Sequence, residues 1–269
     1  MEIYKKTLIY SVIAYVIVLV ILILLHYSIV ILHDSLYDNL ITGATVTIIF
    51  IVVQMLTSYF IEKRKKYKTL YNNTISVLIQ LKGLKRSIDK MNSGFELHLF
   101  FQKMDNIFQL GCKADTANSQ PKSSRFLTTT IEKLTELRSE LDYSESNEFF
   151  IKQSAESQIY RNTTNDLALL ISSTINGIQA FLFSLLQYET GVLQHVRNNP
   201  KQGVTPEIAT MFQQNKEMML IQFGSLSSKT MSDCSKVEQL LIMLAEKSCL
   251  KGQVNPKTEI AYINERTIL

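Results

Sequence analysis

Two long stretches without a charged side chain near the N-terminus constrain the fold of this chain most strongly. The first, Leu8–Leu25, would extend roughly 27 Å as a helix, close to the thickness of a bilayer core. The second, Leu40–Ile61, would extend roughly 33 Å, enough to cross with some tilt. We therefore predict spanning helices at about residues 8–28 and 40–61, which form a transmembrane hairpin over residues 1–61.

The basic residues around the two stretches predict the orientation of this hairpin. Lys5 and Lys6 precede the first stretch, basic residues crowd positions 63–68 after the second, and the connecting loop at 33–39 contains no Lys or Arg. By the positive-inside rule, both termini are then cytoplasmic. A cleaved signal peptide is the alternative for the first stretch, but the stretch is longer than such a segment and no small-residue cleavage site follows it.

A heptad pattern follows the second predicted span. Mostly apolar residues recur at alternating steps of four and three, at Leu70, Thr74, Val77, Leu81, Leu84, Ile88 and Met91. We call these seven residues the seam. Gly83 is the one weak point, so the second span is predicted to continue as a single helix to about Asn92, with residues 62–92 as a helical connector. The seam either packs on its own domain or forms a parallel coiled coil that gathers several second spans around one axis.

The rest of the chain, residues 93–269, is predicted to be a cytosolic helical sensor domain. Capping residues and glycines delimit the expected helices, which cover about 95–110, 125–141, a region from about 148, 205–223 and 231–250; the tail from Gln253 is expected to be irregular. No segment shows the alternation of a strand, and the chain has only 4 Pro and 9 Gly. The fold class is therefore all-α.

One segment of this domain, Leu167–Tyr188, contains no charge and could be a third span or a buried core helix. Its interior holds amides and serines, and a third crossing would export a Lys-bearing C-terminal part, so we favour the core helix. Small residues at Ser173, Gly177, Ala180 and Ser184 form one face, which would allow another helix to approach closely.

The sequence offers no convincing catalytic constellation, so we expect no enzyme activity and no cofactor. The four histidines are scattered, and no phosphate-binding loop, nucleophile elbow or metal-ligand spacing is present. His33 and Asp34 are adjacent but lack the second pair that a metal site needs. Cys112, Cys234 and Cys249 are odd in number and widely spaced, which favours free thiols.

Two places could bind an anion. At Lys122, Ser123, Ser124 and Arg125 a predicted helix start offers backbone N–H groups, hydroxyls and two cations, which together suit a phosphate. A basic turn with Arg197 and Lys201 is the second. An ordinary capped helix and a solvated loop are the alternatives for the two places.

The second predicted span carries unusual polar groups. At about 100° per residue, one stripe of its helix collects Gly43, Thr47, Phe50, Gln54 and Ser58. Such a stripe serves either helix association in lipid or the lining of a pore, in which Phe50 would be a hydrophobic gate.

In outline the chain resembles the two-span membrane effectors of bacterial anti-phage defence systems of the cyclic-oligonucleotide, retron and Hailong types. The likeness lies in the architecture, a short N-terminal hairpin that bears a larger cytosolic domain, and extends along the whole chain. It implies abortive-infection activity by membrane permeabilisation, controlled by a nucleotide or oligonucleotide that a partner enzyme makes. We therefore expect a channel in the bacterial inner membrane, made of more than two copies because two hairpins enclose no pore. The alternative is a membrane-anchored coiled-coil adaptor that docks a protein without forming a pore.

Overall fold

The computed structural model describes residues 17, 20, 34–93, 95–110, 121–141, 155–198, 205–247 and 250–268. Its helices are α1 (Asp34–Ser93), α2 (Glu96–Leu110), α3 (Ser124–Glu140), α4 (Ala155–Asn198), α5 (Pro206–Ala245) and α6 (Pro256–Ile268). No strand occurs in these ranges, which confirms the all-α fold class. The first predicted span, and with it the hairpin, lies outside the described residues apart from positions 17 and 20.

The chain divides into two compact units. Unit 1 comprises Met1–Thr69, Asp142–Asn162 and Ser248–Leu250, and unit 2 comprises Leu70–Leu141, Thr163–Lys247 and Lys251–Leu269. In unit 1 the rings of Tyr67 and Tyr160 meet edge to face at 5.3 Å. In unit 2, α1, α2, α3, α4 and α5 all contribute side chains to one hydrophobic core.

The seam of α1 belongs to that core. All seven seam residues are buried within this single chain, with at most 2% of any of them exposed. The seam therefore packs on its own domain, which was the first of the two alternatives. The second alternative, a coiled coil between copies along this face, is wrong. Gly83 has a packing role here, since a Cβ at this position would lie 2.8 Å from Cζ of Phe126 on α3.

Helices α4 and α5 run antiparallel in unit 2. Ser184 donates a hydrogen bond to Gln222 Oε1 at 2.5 Å, and ten residues earlier Thr174 bonds to Asp233 at 3.3 Å. A Cβ on Gly177 would touch Leu226 at 3.4 Å. The small-residue face thus meets α5 at Gly177 and Ser184 as predicted. Ser173 and Ala180 are exposed, although Ser173 accepts a hydrogen bond from Lys229 of α5.

Two predicted features of the C-terminal third are wrong. α5 continues through Gly224 as one helix, whereas two helices were expected, because Phe223 and Leu226 on either side of the glycine are buried in the core. The tail is also helical. Asn255 Oδ1 accepts a hydrogen bond from the Thr258 N–H at 3.4 Å, and Pro256 occupies the first helical position, which is a helix start readable from the sequence.

Candidate functional site

The N-terminal part of α1 is an apolar helix that the described residues leave uncovered. Its large side chains at Val46, Ile49, Phe50, Val53, Leu56, Phe60 and Ile61 are all more than half exposed. Helices α1 and α4 both contain a segment long and apolar enough to cross a membrane, but none of that segment in α1 is buried, against 33% in α4. Exposed apolar surface on this scale is typical of contact with lipid or with another protein. The chain is in this respect consistent with membrane association.

The predicted polar stripe lies mostly on the uncovered side of this helix. Gly43, Thr47, Phe50 and Gln54 are exposed and Ser58 is half-buried. The Thr47 hydroxyl donates to the Gly43 carbonyl at 2.8 Å, so it needs no partner outside its own helix. The side-chain amide of Gln54 is therefore the strongest hydrogen-bonding group that this stripe presents outward.

The predicted phosphate site at the start of α3 already has an anion beside it. The backbone N–H of Ser123 donates to Glu96 Oε2 at 3.0 Å, and the Ser124 hydroxyl donates to the Pro121 carbonyl at 2.6 Å. The N–H groups of Ser124, Arg125 and Phe126 bond to backbone carbonyls. Neither serine hydroxyl caps the helix, contrary to prediction. The chain's own carboxylate thus stands where a phosphate was expected, while Lys122 and Arg125 are exposed to solvent.

Of the two residues in the second predicted anion site, only Arg197 lies within the described ranges. Arg197 is exposed in the last turn of α4, where a cation interacts favourably with the negative end of the helix dipole. Lys201 lies outside the described residues.

A polar network at the junction of α2, α4 and α5 was not anticipated. Lys216 Nζ lies 3.1 Å from Asp105 Oδ2 and 4.8 Å from the centre of the Phe101 ring. The Tyr188 hydroxyl hydrogen-bonds to the same Asp105 carboxylate. Burial, reinforced by the Asp105 charge and this hydrogen bond, raises the pKa of Tyr188 above its usual value. These groups are far apart in the sequence, so no local pattern could have predicted their meeting.

This network borders an open cavity of about 530 Å³ in unit 2. The cavity lies at the α1–α2 junction and is lined by Asn92 at the end of α1, by Phe95, His98, Gln102 and Asp105 around α2, and by Lys216 of α5. Phe95 has a φ of 54°, an unfavourable left-handed conformation for a bulky residue, and its ring is largely exposed. An ammonium, an imidazole, amides and aromatic rings together suit a polar ligand with a flat ring.

A second open cavity of about 580 Å³ lies between α4 and α5 and has a different character. Its lining includes Phe183, Gln187, Asn215, Met218 and Gln222 and contains no charged residue. Neither of these two cavities is lined by the predicted ligand residues of α3 or by Arg197.

The Tyr188 network predicts an alkaline loss of stability. Because the folded-state pKa of Tyr188 is raised, its stabilising contribution is present below pH 10 and decreases as the pH rises further, by up to about 1.4 kcal/mol per pH unit. Tyr188→Phe should make the fall in unfolding free energy between pH 10 and 11.5 shallower, as measured by denaturant titration. Phe212→Leu, which alters a ring in contact with Tyr188, should lower stability without changing this slope. Equal slopes for Tyr188→Phe and wild type would contradict the prediction.

The described residues include no obvious reactive centre. No group of three or more His, Cys, Asp or Glu side chains among them is arranged to hold a metal ion. Cys234 is a buried free thiol, and burial raises its pKa to about 11, so it is poorly suited to act as a nucleophile. Cys112 and Cys249 lie outside the described ranges.

Comparisons with protein-family models, with curated proteins and with solved structures find no match to this chain.

Proposed function

We propose that this chain is the subunit of a homo-oligomeric membrane channel whose helical domain binds a ligand that sets the gate. The observation that carries the proposal is the composition of α1. Its N-terminal part is apolar, long enough to span a bilayer and uncovered, and its C-terminal part forms the seam in the core of unit 2. A change in that core therefore acts on the same helix that would cross the membrane.

In this proposal the polar stripe of α1 lines the pore. Gly43 and Thr47 are exposed one to two turns before Phe50 in α1, and Gln54 presents its amide one turn after it. Phe50, with 68% of its surface exposed, is the bulkiest side chain in the stripe and would close the pore by excluding water. The hydroxyl of Thr47 is already bonded within the helix and so needs no partner in lipid, whereas the amide of Gln54 needs one in a neighbouring helix or in pore water.

The cavity at the α1–α2 junction is the best-supported place for the gating ligand. It takes in the last turn of α1 through Met91 and Asn92 and offers an imidazole, amides and exposed rings, while its cation, Lys216, is paired with Asp105 in the same lining. We favour it over the start of α3 because it is an open cavity of about 530 Å³ that reaches α1, whereas at the start of α3 the Ser123 N–H already donates to Glu96. A nucleotide or oligonucleotide from a partner enzyme, a role in anti-phage defence and a bacterial inner-membrane location with cytoplasmic termini follow from the architectural resemblance and belong to this proposal.

Electrical recording from the purified protein tests the proposal. Wild-type protein in planar bilayers should give discrete current steps, alone or with cyclic di- and trinucleotides, and its mass in detergent should exceed that of a dimer, because two hairpins enclose no pore. A variant with Asp in place of Ile49 and Leu56 serves as the control. Both residues are exposed on the opposite side of α1 from the stripe, and charges on this lipid-facing side should prevent insertion. Silence of the wild type with every ligand, or a strictly dimeric mass, would overturn the channel.

The membrane-anchored adaptor is the second candidate, and the surface of α5 favours it. Met211, Met218 and Ile221 are exposed apolar residues on one helix of unit 2, as expected of a surface that docks a protein. An adaptor predicts no current together with loss of a bound partner in Ile221→Arg. A channel predicts that this variant still conducts.

A further inference from the structure

The open cavity between α4 and α5 has no role in the proposed channel. At about 580 Å³ it falls in the usual range of small-molecule sites, roughly 300–1,000 Å³. One face of each helix lines it, in steps of three and four residues: Ser184, Gln187, Gly191 and Gln194 on α4, and Asn215, Met218 and Gln222 on α5. All of these residues belong to unit 2. We call this cavity the amide cavity.

Side-chain amides are the main polar groups of the amide cavity. Gln187 and Gln194 line it from α4, and Asn215 and Gln222 line it from α5. Each such amide carries hydrogen-bond donors next to an acceptor. The Gln222 Oε1 atom already accepts from the Ser184 hydroxyl at 2.5 Å, which leaves the NH₂ group of Gln222 as a donor. The cavity thus offers hydrogen-bonding groups from both of its helices.

Two exposed apolar side chains add a surface on which a flat ring can rest. Phe183 on α4 is 59% exposed and Met218 on α5 is 60% exposed, and both line the amide cavity. An aromatic ring and a thioether each make favourable contacts with another aromatic ring. The cavity therefore combines a surface for stacking with amides for hydrogen bonding.

The lining of the amide cavity, which lies within the described ranges 183–194 and 215–222, contains no charged residue. The hydroxyl of one lining residue, Tyr188, does reach the carboxylate of Asp105, but Lys216 Nζ lies 3.1 Å from that carboxylate and offsets its charge. Arg197 follows Gln194 along α4 and is not part of the lining. A phosphate would therefore lose its water here without gaining an opposite charge from the lining.

An uncharged heterocycle with an adenine-type edge fits these groups best. Asn and Gln recognise adenine by pairing with its adjacent donor and acceptor, N6 and N7. Guanine presents two acceptors at the corresponding edge and is read by Arg or Lys, which this lining lacks. A purely apolar molecule would leave the amides without partners, and burial of an amide without a hydrogen bond is unfavourable.

We infer that the amide cavity is a second ligand site, which takes an uncharged adenine-type heterocycle in preference to its phosphorylated form. The inference does not rest on the proposed channel. It gives unit 2 a site distinct from the cavity at the α1–α2 junction, whose lining includes the charged pair Lys216 and Asp105.

Calorimetric titration of the full-length protein in detergent tests the specificity. Adenosine should bind at least about tenfold more tightly than guanosine or adenosine 5′-monophosphate, since one well-paired amide is sufficient for a difference of this size. Failure of adenosine to bind overturns the inference, and so does binding of either other probe as tightly as adenosine.

Asn215→Leu removes one amide from the lining and should weaken adenosine binding about tenfold or more. Gln213→Leu is the matched control, because Gln213 is exposed on the same helix and its amide donates to Glu217 at 3.1 Å outside the lining. An unchanged affinity in Asn215→Leu overturns the inference, as does an equal loss in both variants.

Met218→Lys adds a cation to the lining and should reverse the preference, so that adenosine 5′-monophosphate binds more tightly than adenosine. Met211→Lys places the same charge at an exposed position of α5 outside the lining and should keep the preference for adenosine. Reversal in both variants, or in neither, contradicts the assignment of this cavity.

Gln102→Leu separates the amide cavity from the cavity at the α1–α2 junction, which Gln102 lines. This variant should bind adenosine as the wild type does. Loss of adenosine binding in Gln102→Leu but not in Asn215→Leu would place the probe at the junction and overturn the inference. The two proposals fail separately: adenosine binding without current refutes the channel and keeps the amide cavity, and a conducting protein that does not bind adenosine does the opposite.

Discussion

Replacement of Leu84 by alanine is expected to lower the free energy of unfolding by about 2–5 kcal/mol, the usual cost of such a truncation in a packed core. Leu84 lies in the seam of α1, is fully buried within one chain and belongs to the same core as Phe181 and Leu127. Because its neighbours come from the same molecule, the loss should not depend on protein concentration. Denaturant unfolding of the full-length protein in detergent, followed by circular dichroism, measures it.

Ile79→Ala is the matched control for this substitution. Ile79 lies on the same helix with 44% of its surface exposed, so its truncation should cost well under about 1 kcal/mol. If the loss of unfolding free energy in Leu84→Ala disappeared at high protein concentration, the seam would join different copies. The description of the core of unit 2 would then be wrong.

Phe50→Ala is expected to raise the current through the proposed channel in the absence of ligand. If the ring blocks the pore by excluding water, its removal should increase the conductance about tenfold or more, equivalent to lowering the barrier by about 1.4 kcal/mol. Gln54→Leu should have the opposite effect, because it removes the amide that the stripe offers to water. Planar bilayer recordings of both variants beside wild type measure the change.

Val53→Ala separates a gate from a general loosening of the helix. Val53 is 55% exposed on α1 and lies about 60° away from the stripe around the helix axis. Its truncation should leave the current at the wild-type level. A rise of the same size in Val53→Ala and Phe50→Ala would remove Phe50 from its proposed role.

Periodicity predicted the helices well, because spacing of apolar residues is a local property of the chain. The seam from Leu70 to Met91 is buried as its heptad pattern required. Periodicity could not say what covers the seam, since a neighbouring helix of the same chain and a helix of a second copy bury the same residues. The answer depended on helices α2 to α5, most of which lie far along the chain from the seam.

Glycine and proline predicted the ends and starts of helices less reliably than periodicity predicted the helices themselves. Gly224 predicts the end of a helix, yet a glycine within a helix costs only about 1 kcal/mol relative to alanine, and the burial of Phe223 and Leu226 outweighs this cost. The helix start at Asn255 and Pro256 is a local signal, and it contradicts the prediction of an irregular tail from Gln253. In the candidate site, the contact of Glu96 with Ser123 and that of Lys216 with Asp105 join residues remote in sequence. Such contacts are set by packing, and a single sequence does not reveal them.

The Glu96 carboxylate at the start of α3 has a consequence for any anion that approaches the neighbouring cations. Because it is attached to the same chain, it competes at an effective concentration in the millimolar range or above, however dilute the protein is. A free phosphate displaces this carboxylate from the Ser123 N–H only when its own concentration and affinity together outweigh the effective concentration of the carboxylate. An anion that approaches this end of α3 therefore finds the Ser123 N–H already engaged, and only the exposed side chains of Lys122 and Arg125 remain for it to contact.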